Sequence, residues 1–152
     1  MAGKSIMALV LVGLLACGCQ EQGDSPPAGE TDSRDLGAAR AAAYRFCQAW
    51  KDSDYDAARE RVTERLVDRY GEQRLRDEIA GVGNQSHESF VLEGGKMDSR
   101  DRATFHVEFN TSMTGQFGDT TQTLQGSMAL VYHEHRWLVD SLPFPVSDVR
   151  TN

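Results

Sequence analysis

The segment DRATFHVEFNTSM, residues 101–113, alternates apolar and polar side chains along its whole length. One side of the alternation carries Ala103, Phe105, Val107, Phe109 and Thr111. The other side carries Thr104, His106, Glu108 and Asn110. A period of two is that of a β-strand with one face in the core and the other in solvent. The segment therefore predicts a strand whose first face is buried.

Three further segments predict strands on either side of this one. Residues 88–97, ESFVLEGGKM, form the first, and Gly94-Gly95 predicts a bulge or bend within it. Residues 121–132 form a long strand, in which the side chains in phase are Leu124, Met128, Leu130 and Tyr132. Residues 136–142 form the last strand, after a short turn at His133-Glu134-His135. Short connections between neighbouring strands predict an antiparallel meander.

The first half of the chain shows helical periodicity instead. Helix one is predicted over residues 35–51, with Ser33 or Asp35 available as its cap. Its apolar stripe consists of Leu36, Ala39, Ala43, Phe46, Cys47 and Trp50. Helix two is predicted over residues 54–70, and a shorter third helix ends near Gly81. Helices followed by strands predict an α+β fold, with the N-terminal helices packed on a curved four-stranded antiparallel sheet.

Three motifs stand out within residues 36–142: Ala42-Ala43-x-x-Phe46-x-x-Ala49-Trp50, Asp54-Tyr55-x-Ala57-Ala58 and Arg136-Trp137-Leu138-Val139-Asp140-Ser141. With these motifs the chain resembles the nuclear transport factor 2-like superfamily, which has a cystatin-like cone fold. Within that superfamily the chain resembles the small bacterial lipoproteins of unknown function. The resemblance implies one domain over residues 35–150. Members of the superfamily include isomerases, dehydratases, cyclases and noncatalytic modules, so the fold does not choose among these functions.

The N-terminus predicts an export signal that ends in a lipid anchor. Lys4 precedes an uncharged apolar run over residues 6–16, which is too short to span a bilayer. Leu14-Leu15-Ala16-Cys17 resembles the lipobox of bacterial lipoproteins, which implies a signal peptide over residues 1–16 and acylation of Cys17. Cys19 is the alternative lipidation site.

Residues 17–34 predict a lipidated N-terminus followed by a flexible linker. The linker contains Pro26-Pro27 and no large apolar residue, so it cannot bury enough surface to fold. The domain is then expected to face the periplasm or the exterior of a bacterial cell envelope, held to the membrane by its lipid. Gly18 or Gln20 after the acylated cysteine, where Asp would signal retention, favours the outer membrane in a Gram-negative host.

Charge and cysteine content argue against two classes of protein. The net charge of −7 and the alternation of arginine with acidic residues over residues 59–69 disfavour nucleic-acid binding. Three cysteines do not support a disulfide framework. Cys47 is expected to be a buried thiol, although Cys19, if it escapes acylation, could pair with it or with another chain.

No catalytic residue, metal or cofactor is predicted. His106 and Glu108 fall on the solvent face by strand alternation, and Asp140 at the end of a strand is more typical of a turn or cap partner. His133 and His135 could bind zinc with His87 or His106 as a third ligand, but a hairpin tip that exposes them is the favoured interpretation. Nucleophile-elbow, phosphate-loop and dinucleotide motifs are absent from the sequence.

Two functions fit these patterns. The favoured one is a noncatalytic envelope module whose sheet face or cone mouth contacts a protein, a glycan or a small apolar ligand. The polar sheet face around His106 and Glu108 is also compatible with a homodimer. The alternative is a small-molecule enzyme of the isomerase, dehydratase or cyclase kind that uses the cone. In either case the aromatic residues expected to line a pocket are Trp50, Tyr55, Phe105, Phe109 and Tyr132.

Overall fold

A computed structural model describes residues 34–81, 85–116 and 118–144. Four helices precede four strands: α1 (Leu36–Lys51), α2 (Tyr55–Arg59), α3 (Glu64–Tyr70), α4 (Glu72–Ala80), β1 (Gln85–Ser99), β2 (Arg102–Gly115), β3 (Gly118–His133) and β4 (Arg136–Ser141). The strands form one antiparallel sheet in the order β1-β2-β3-β4. The predicted α+β fold is therefore confirmed. Several predictions fall outside the described residues. They concern the predicted signal, Cys17, Cys19, nearly all of the linker and the end of the predicted domain at 145–150.

Helix α1 begins and ends as the periodicity predicts. Asp35 is its N-cap, and the Asp35 carboxylate accepts a hydrogen bond of 2.6 Å from the Ala38 amide. The apolar stripe of α1 faces the sheet, and Phe46 and Cys47 on that stripe are fully buried. None of the helices in the described part of the chain is both long and apolar enough to cross a bilayer.

The prediction of one helix over residues 54–70 is wrong. Helix α2 ends at Arg59, and Val62 then forms a parallel bridge with Val139 of β4. The Val139 amide donates to the Arg61 carbonyl at 2.8 Å, and the Thr63 amide donates to the Val139 carbonyl at 2.9 Å. These bonds give the edge of β4 a partner and take the chain out of the helix. Thr63 then caps a new helix, α3.

The register of the sheet matches the predicted alternation. All five residues assigned to the inner face of β2 are at most 3% exposed. Phe105 of β2 lies opposite Met128 of β3, and Ala103 lies opposite Leu130, so both strands present apolar side chains to α1. On the other face, His106 is exposed. One face of the sheet thus forms the core and the other meets solvent.

Glycines allow the sheet to bend and the chain to pack closely. The predicted bulge lies at Gly94-Gly95, where the pairing of β1 with β2 shifts between Glu93 and Lys96. Gly95 has a φ of +133°, and a Cβ atom there would lie 2.6 Å from the Phe105 ring. A Cβ atom on Gly126 would lie 1.7 Å from the Pro143 carbonyl, so the segment after β4 needs glycine at this point of β3.

Candidate functional site

A groove lies between the start of α3 and the β3–β4 hairpin. We call it the Asp140 groove, and its volume is about 500 Å³, within the range of small-ligand pockets. Its lining consists of Val62, Thr63, Glu64, Arg65, Val131, Tyr132, His133, Glu134, Arg136, Leu138 and Asp140. Val131 and Leu138 are cross-strand partners, and they alternate along β3 and β4 with the core residues Leu130 and Val139. The groove therefore combines an apolar floor with a charged rim.

Asp140 is the buried charge of this groove, with a side chain 4% exposed. Thr63 Oγ1 and Arg65 Nε each donate to Asp140 Oδ1 at 2.9 Å, and Arg65 Nη2 donates to Asp140 Oδ2. Arg102 Nη1 lies 3.7 Å from Asp140 Oδ2. Burial alone would raise the pKa of Asp140, but hydrogen bonds from Arg65 and Thr63, with the charges of Arg65 and Arg102, hold it below its usual value. Asp140 is therefore ionised and fully engaged.

The break between α2 and α3 places these donors. As N-cap of α3, Thr63 accepts a hydrogen bond of 3.1 Å from the Leu66 amide, while its own hydroxyl donates to Asp140. Arg65 follows in the first turn of α3 and reaches the same carboxylate. The backbone pairing with Val139 brings this turn beside β4. The break between α2 and α3 thus forms one wall of the groove.

The arginine side chains at and beside the groove outnumber the carboxylates that pair with them. Glu64 is engaged by Arg59, whose Nη2 lies 2.9 Å from Glu64 Oε2. The Arg136 side chain is exposed and forms no hydrogen bond or ion pair with the described residues. Arg102 keeps a side chain 46% exposed beside the Asp140 carboxylate, which Arg65 already binds. In a chain with a net charge of −7, the groove is a local cationic region.

A second cluster, in the concave core, contains polar atoms without partners. Trp50 lies with its ring centroid 5.0 Å from Phe109, 5.9 Å from Phe144 and 6.2 Å from His87. Trp50 Nε1 and both ring nitrogens of His87 are buried and have no hydrogen-bond partner among the described residues. Burial lowers the pKa of His87, because the imidazolium would be desolvated there. We call these four residues the aromatic cluster.

Two other side chains with ionisable groups are buried, and neither is activated. Cys47 is a free thiol that is fully buried, as expected, and burial raises its pKa to about 12. Burial, together with the hydrogen bond and charge of Glu72, raises the pKa of Tyr55 to about 12. The Tyr55 hydroxyl donates to Glu72 Oε1 at 2.5 Å. Neither the Cys47 thiol nor the Tyr55 hydroxyl is therefore an activated nucleophile at neutral pH.

The five aromatic residues predicted to line a pocket fall into two groups. Trp50, Tyr55, Phe105 and Phe109 are at most 5% exposed and lie in the core. Tyr132 is half-buried and lines the Asp140 groove. Contact of the four core rings with a ligand stays a prediction.

The remaining candidates from the sequence lie on the surface, apart from His87. His106 is exposed, and Glu108 accepts a hydrogen bond of 2.5 Å from Gln125. His133 and His135 lie at the exposed tip of the β3–β4 hairpin, where Glu134 and His135 adopt positive φ angles. In the described part of the chain, no three His, Cys, Asp or Glu side chains are grouped closely enough to hold a metal ion.

The outer face of the sheet carries rows of polar side chains bonded across the strands. Asn110 joins Ser89 at 3.2 Å and Thr123 at 2.7 Å, and the Ser112 hydroxyl donates to Glu88 at 2.5 Å. Such cross-strand pairs contribute to the stability of the sheet. A homodimer through this face stays a prediction.

The Asp140 groove was not predicted from the sequence. Thr63 and Asp140 lie 77 positions apart, and their contact depends on the unexpected pairing of Val62 with Val139. The local signal for that break is two β-branched residues, Val62-Thr63, followed by an acidic residue at the start of a helix. Asp140 does partner a cap residue, Thr63, as its position at the end of a strand suggested.

Two solved structures show the same fold. A ketosteroid isomerase-like protein from Erwinia carotovora atroseptica matches with a TM-score of 0.57 and 15% identity, over 68% of this chain and 89% of that one. A SEC-C motif containing protein from Rhodopseudomonas palustris matches with a TM-score of 0.50 and 14% identity, over 76% of this chain and 92% of that one. At such identities the likeness concerns the fold alone.

A family model gives the assignment that these structures leave open. No curated protein matches the chain. Residues 38–144, however, match the model described as the NTF2-like N-terminal transpeptidase domain. The match runs from α1 through the whole sheet, including both walls of the Asp140 groove. The chain therefore belongs to the family of NTF2-like N-terminal transpeptidase domains.

Proposed function

We propose that this protein is a membrane-tethered, noncatalytic binding module of the bacterial cell envelope. Acylation of Cys17, or of Cys19, anchors it. The family description supports a noncatalytic role, because it attaches this fold to the N-terminus of a transpeptidase. In that arrangement the NTF2-like domain accompanies a catalytic domain. Here we propose that it contacts a separate envelope protein.

The engagement of Asp140 carries this proposal. A general acid or base needs a pKa near the working pH and an oxygen that can reach a substrate. Asp140 has a lowered pKa, and Thr63 and Arg65 occupy its oxygens. The other buried polar residue in the described part of the chain is Thr111, whose hydroxyl donates to the Gln122 carbonyl at 3.3 Å. Such groups hold a shape for binding and do not move protons.

The alternative is a small-molecule enzyme of the isomerase, dehydratase or cyclase kind. His87 favours it, because a neutral imidazole without a partner in a concave interior could accept a proton from a substrate. Against this alternative, His87 is surrounded by aromatic rings, with no described carboxylate to orient it. A His87→Phe variant separates the two functions: the binding module keeps its partner, whereas the enzyme loses turnover.

Anchoring and contact can be tested together in cells. A photo-cross-linking residue is placed at His133, on the rim of the groove, and as a matched control at His106, on the sheet face. We expect adducts with an envelope protein from position 133, and their loss when Cys17 and Cys19 are both replaced by serine. The proposal would be contradicted if the wild-type chain did not remain with the membrane fraction. It would also be contradicted if adducts formed from position 106 alone.

A further inference from the structure

The Asp140 groove has an arrangement of charge that points to the chemistry of its ligand. Arg65 is fixed from one side by the Asp140 carboxylate, through Nε and Nη2. Its side chain is nevertheless 58% exposed, so part of the guanidinium faces the solvent. Arg102 lies against the same carboxylate, and the Arg136 side chain has no partner among the described residues. One buried carboxylate thus orders Arg65 and Arg102, and together with Arg136 these arginines carry more charge than it can neutralise.

The acidic residues of the rim do not cancel this excess. The Glu64 carboxylate accepts two hydrogen bonds from Arg59, at 2.9 and 3.1 Å, on the side of α2. Glu134 lies in the hairpin turn, exposed to solvent. With Asp140 and Glu134 opposing three arginines, the local excess is close to one positive charge. A monoanion matches such a site better than a phosphate, which carries more than one charge.

The floor of the groove sets the second requirement. Val62 and Leu138 are 4% and 6% exposed and present packed aliphatic surface, and Val131 adjoins them. A guanidinium binds a carboxylate through two parallel hydrogen bonds, and nearby apolar surface favours a ligand with an aliphatic side chain. A volume of about 500 Å³ is enough for a few residues of peptide.

We propose that the Asp140 groove binds the C-terminal carboxylate of a peptide chain, with Arg136 and Arg65 on the carboxylate and Val62, Val131 and Leu138 under an aliphatic side chain. Asp140 acts as a positioning residue that holds Arg65 and Arg102 in place. This inference rests on the proposed binding function and names the ligand of the same site. Its failure would leave the anchored, noncatalytic module intact, because the cross-linking and fractionation tests do not depend on the ligand.

The test uses the full chain in detergent and the probe acetyl-Leu-Ala, compared with the same dipeptide ending in an amide. Backbone amide chemical shifts are followed during each titration. We expect saturable shifts confined to residues 62–65 and 131–140, with affinity for the amide at least tenfold weaker. Loss of a charge-assisted hydrogen bond has about that effect. Arg136→Gln should lower affinity for the carboxylate about tenfold, whereas Arg100→Gln, in an exposed turn, should leave it unchanged.

Three results would overturn the inference. Equal affinity for the amide would show that the carboxylate is not recognised. Shifts spread over the whole surface, or an unchanged affinity in Arg136→Gln, would show that the groove is not the binding site. Displacement of the dipeptide by inorganic phosphate at lower concentration would show a general anion site. Arg136 is exposed, so its substitution leaves the fold intact, and an unchanged spectrum of the free variant verifies this.

Discussion

The aromatic cluster and the Asp140 groove differ in how they accommodate a buried ionisable group: the first holds it neutral and the second holds it charged. In the aromatic cluster, His87 has no hydrogen-bond partner among the described residues and avoids charge by losing its proton. In the groove, Asp140 keeps its charge because Arg65 and Thr63 donate to it. An isolated charge in an apolar interior costs so much free energy that a protein either neutralises it or pairs it. The cluster shows the first solution and the groove the second.

This difference separates a packing role from a binding role. The aromatic cluster stabilises the domain through ring contacts and carries no charge at neutral pH. The groove holds ordered charges near solvent, which favour recognition of an ion more than stability. Substitutions in the cluster should therefore change the free energy of unfolding, and substitutions on the groove rim should change binding.

The largest expected effect comes from Phe109→Ala in the aromatic cluster. Phe109 is 1% exposed and contacts Trp50, His87 and Phe144, so its loss leaves a cavity in the core. We expect the free energy of unfolding to fall by about 3–5 kcal/mol, measured by urea denaturation. The matched control is Val91→Ala, because Val91 is 42% exposed. If the two variants were equally stable, the cluster would not be the packed centre of the domain.

A smaller effect is expected from Thr63→Ala in the groove. The variant loses the cap of α3 and one donor to Asp140. We expect thermal and urea unfolding to show a loss of about 2 kcal/mol, since a cap contributes about 1 kcal/mol and a hydrogen bond to a charged group a similar amount. Thr63→Ser keeps the hydroxyl and should restore most of the stability. No difference between the alanine and serine variants would refute the dual role of Thr63.

The smallest effect is expected from His87→Phe, and its sign is opposite. Phenylalanine fills a similar volume without the two unpartnered nitrogens, so the free energy of unfolding at pH 7 should rise by about 1 kcal/mol. The pH dependence should change as well. The lowered pKa of His87 means that the unfolded chain takes up a proton first, so wild-type stability falls as the pH drops below 6.5.

The variant and its control make this pH test specific. His87→Phe should lose the part of the decline in stability that begins below pH 6.5. His106→Phe, at an exposed position on the outer face of the sheet, should retain that part of the decline. A decline of the same size in the wild type and in His87→Phe would show that His87 already has a partner in solution.

The sequence predicts the sheet and the first helix because their signals are local. Alternation along residues 101–113 gives the buried face of β2, and the spacing of Phe46 and Trp50 gives the buried face of α1. The break in helix two was missed because the apolar spacing from Tyr55 to Tyr70 continues through it, while the competing bonds come from Val139, far along the chain. The groove was missed for the same reason, since it exists only once Thr63 meets Asp140.

The central claim is that the groove binds and does not transfer protons, and the pKa of Asp140 tests it most directly. The side-chain carboxyl carbon of Asp140 can be followed by NMR from neutral pH downward, with assignment from the Asp140→Asn variant. The engagement of Asp140 by Arg65, Thr63 and Arg102 predicts a pKa below its usual 3.8. A pKa near neutrality would show a carboxyl ready for acid–base catalysis and would contradict the account.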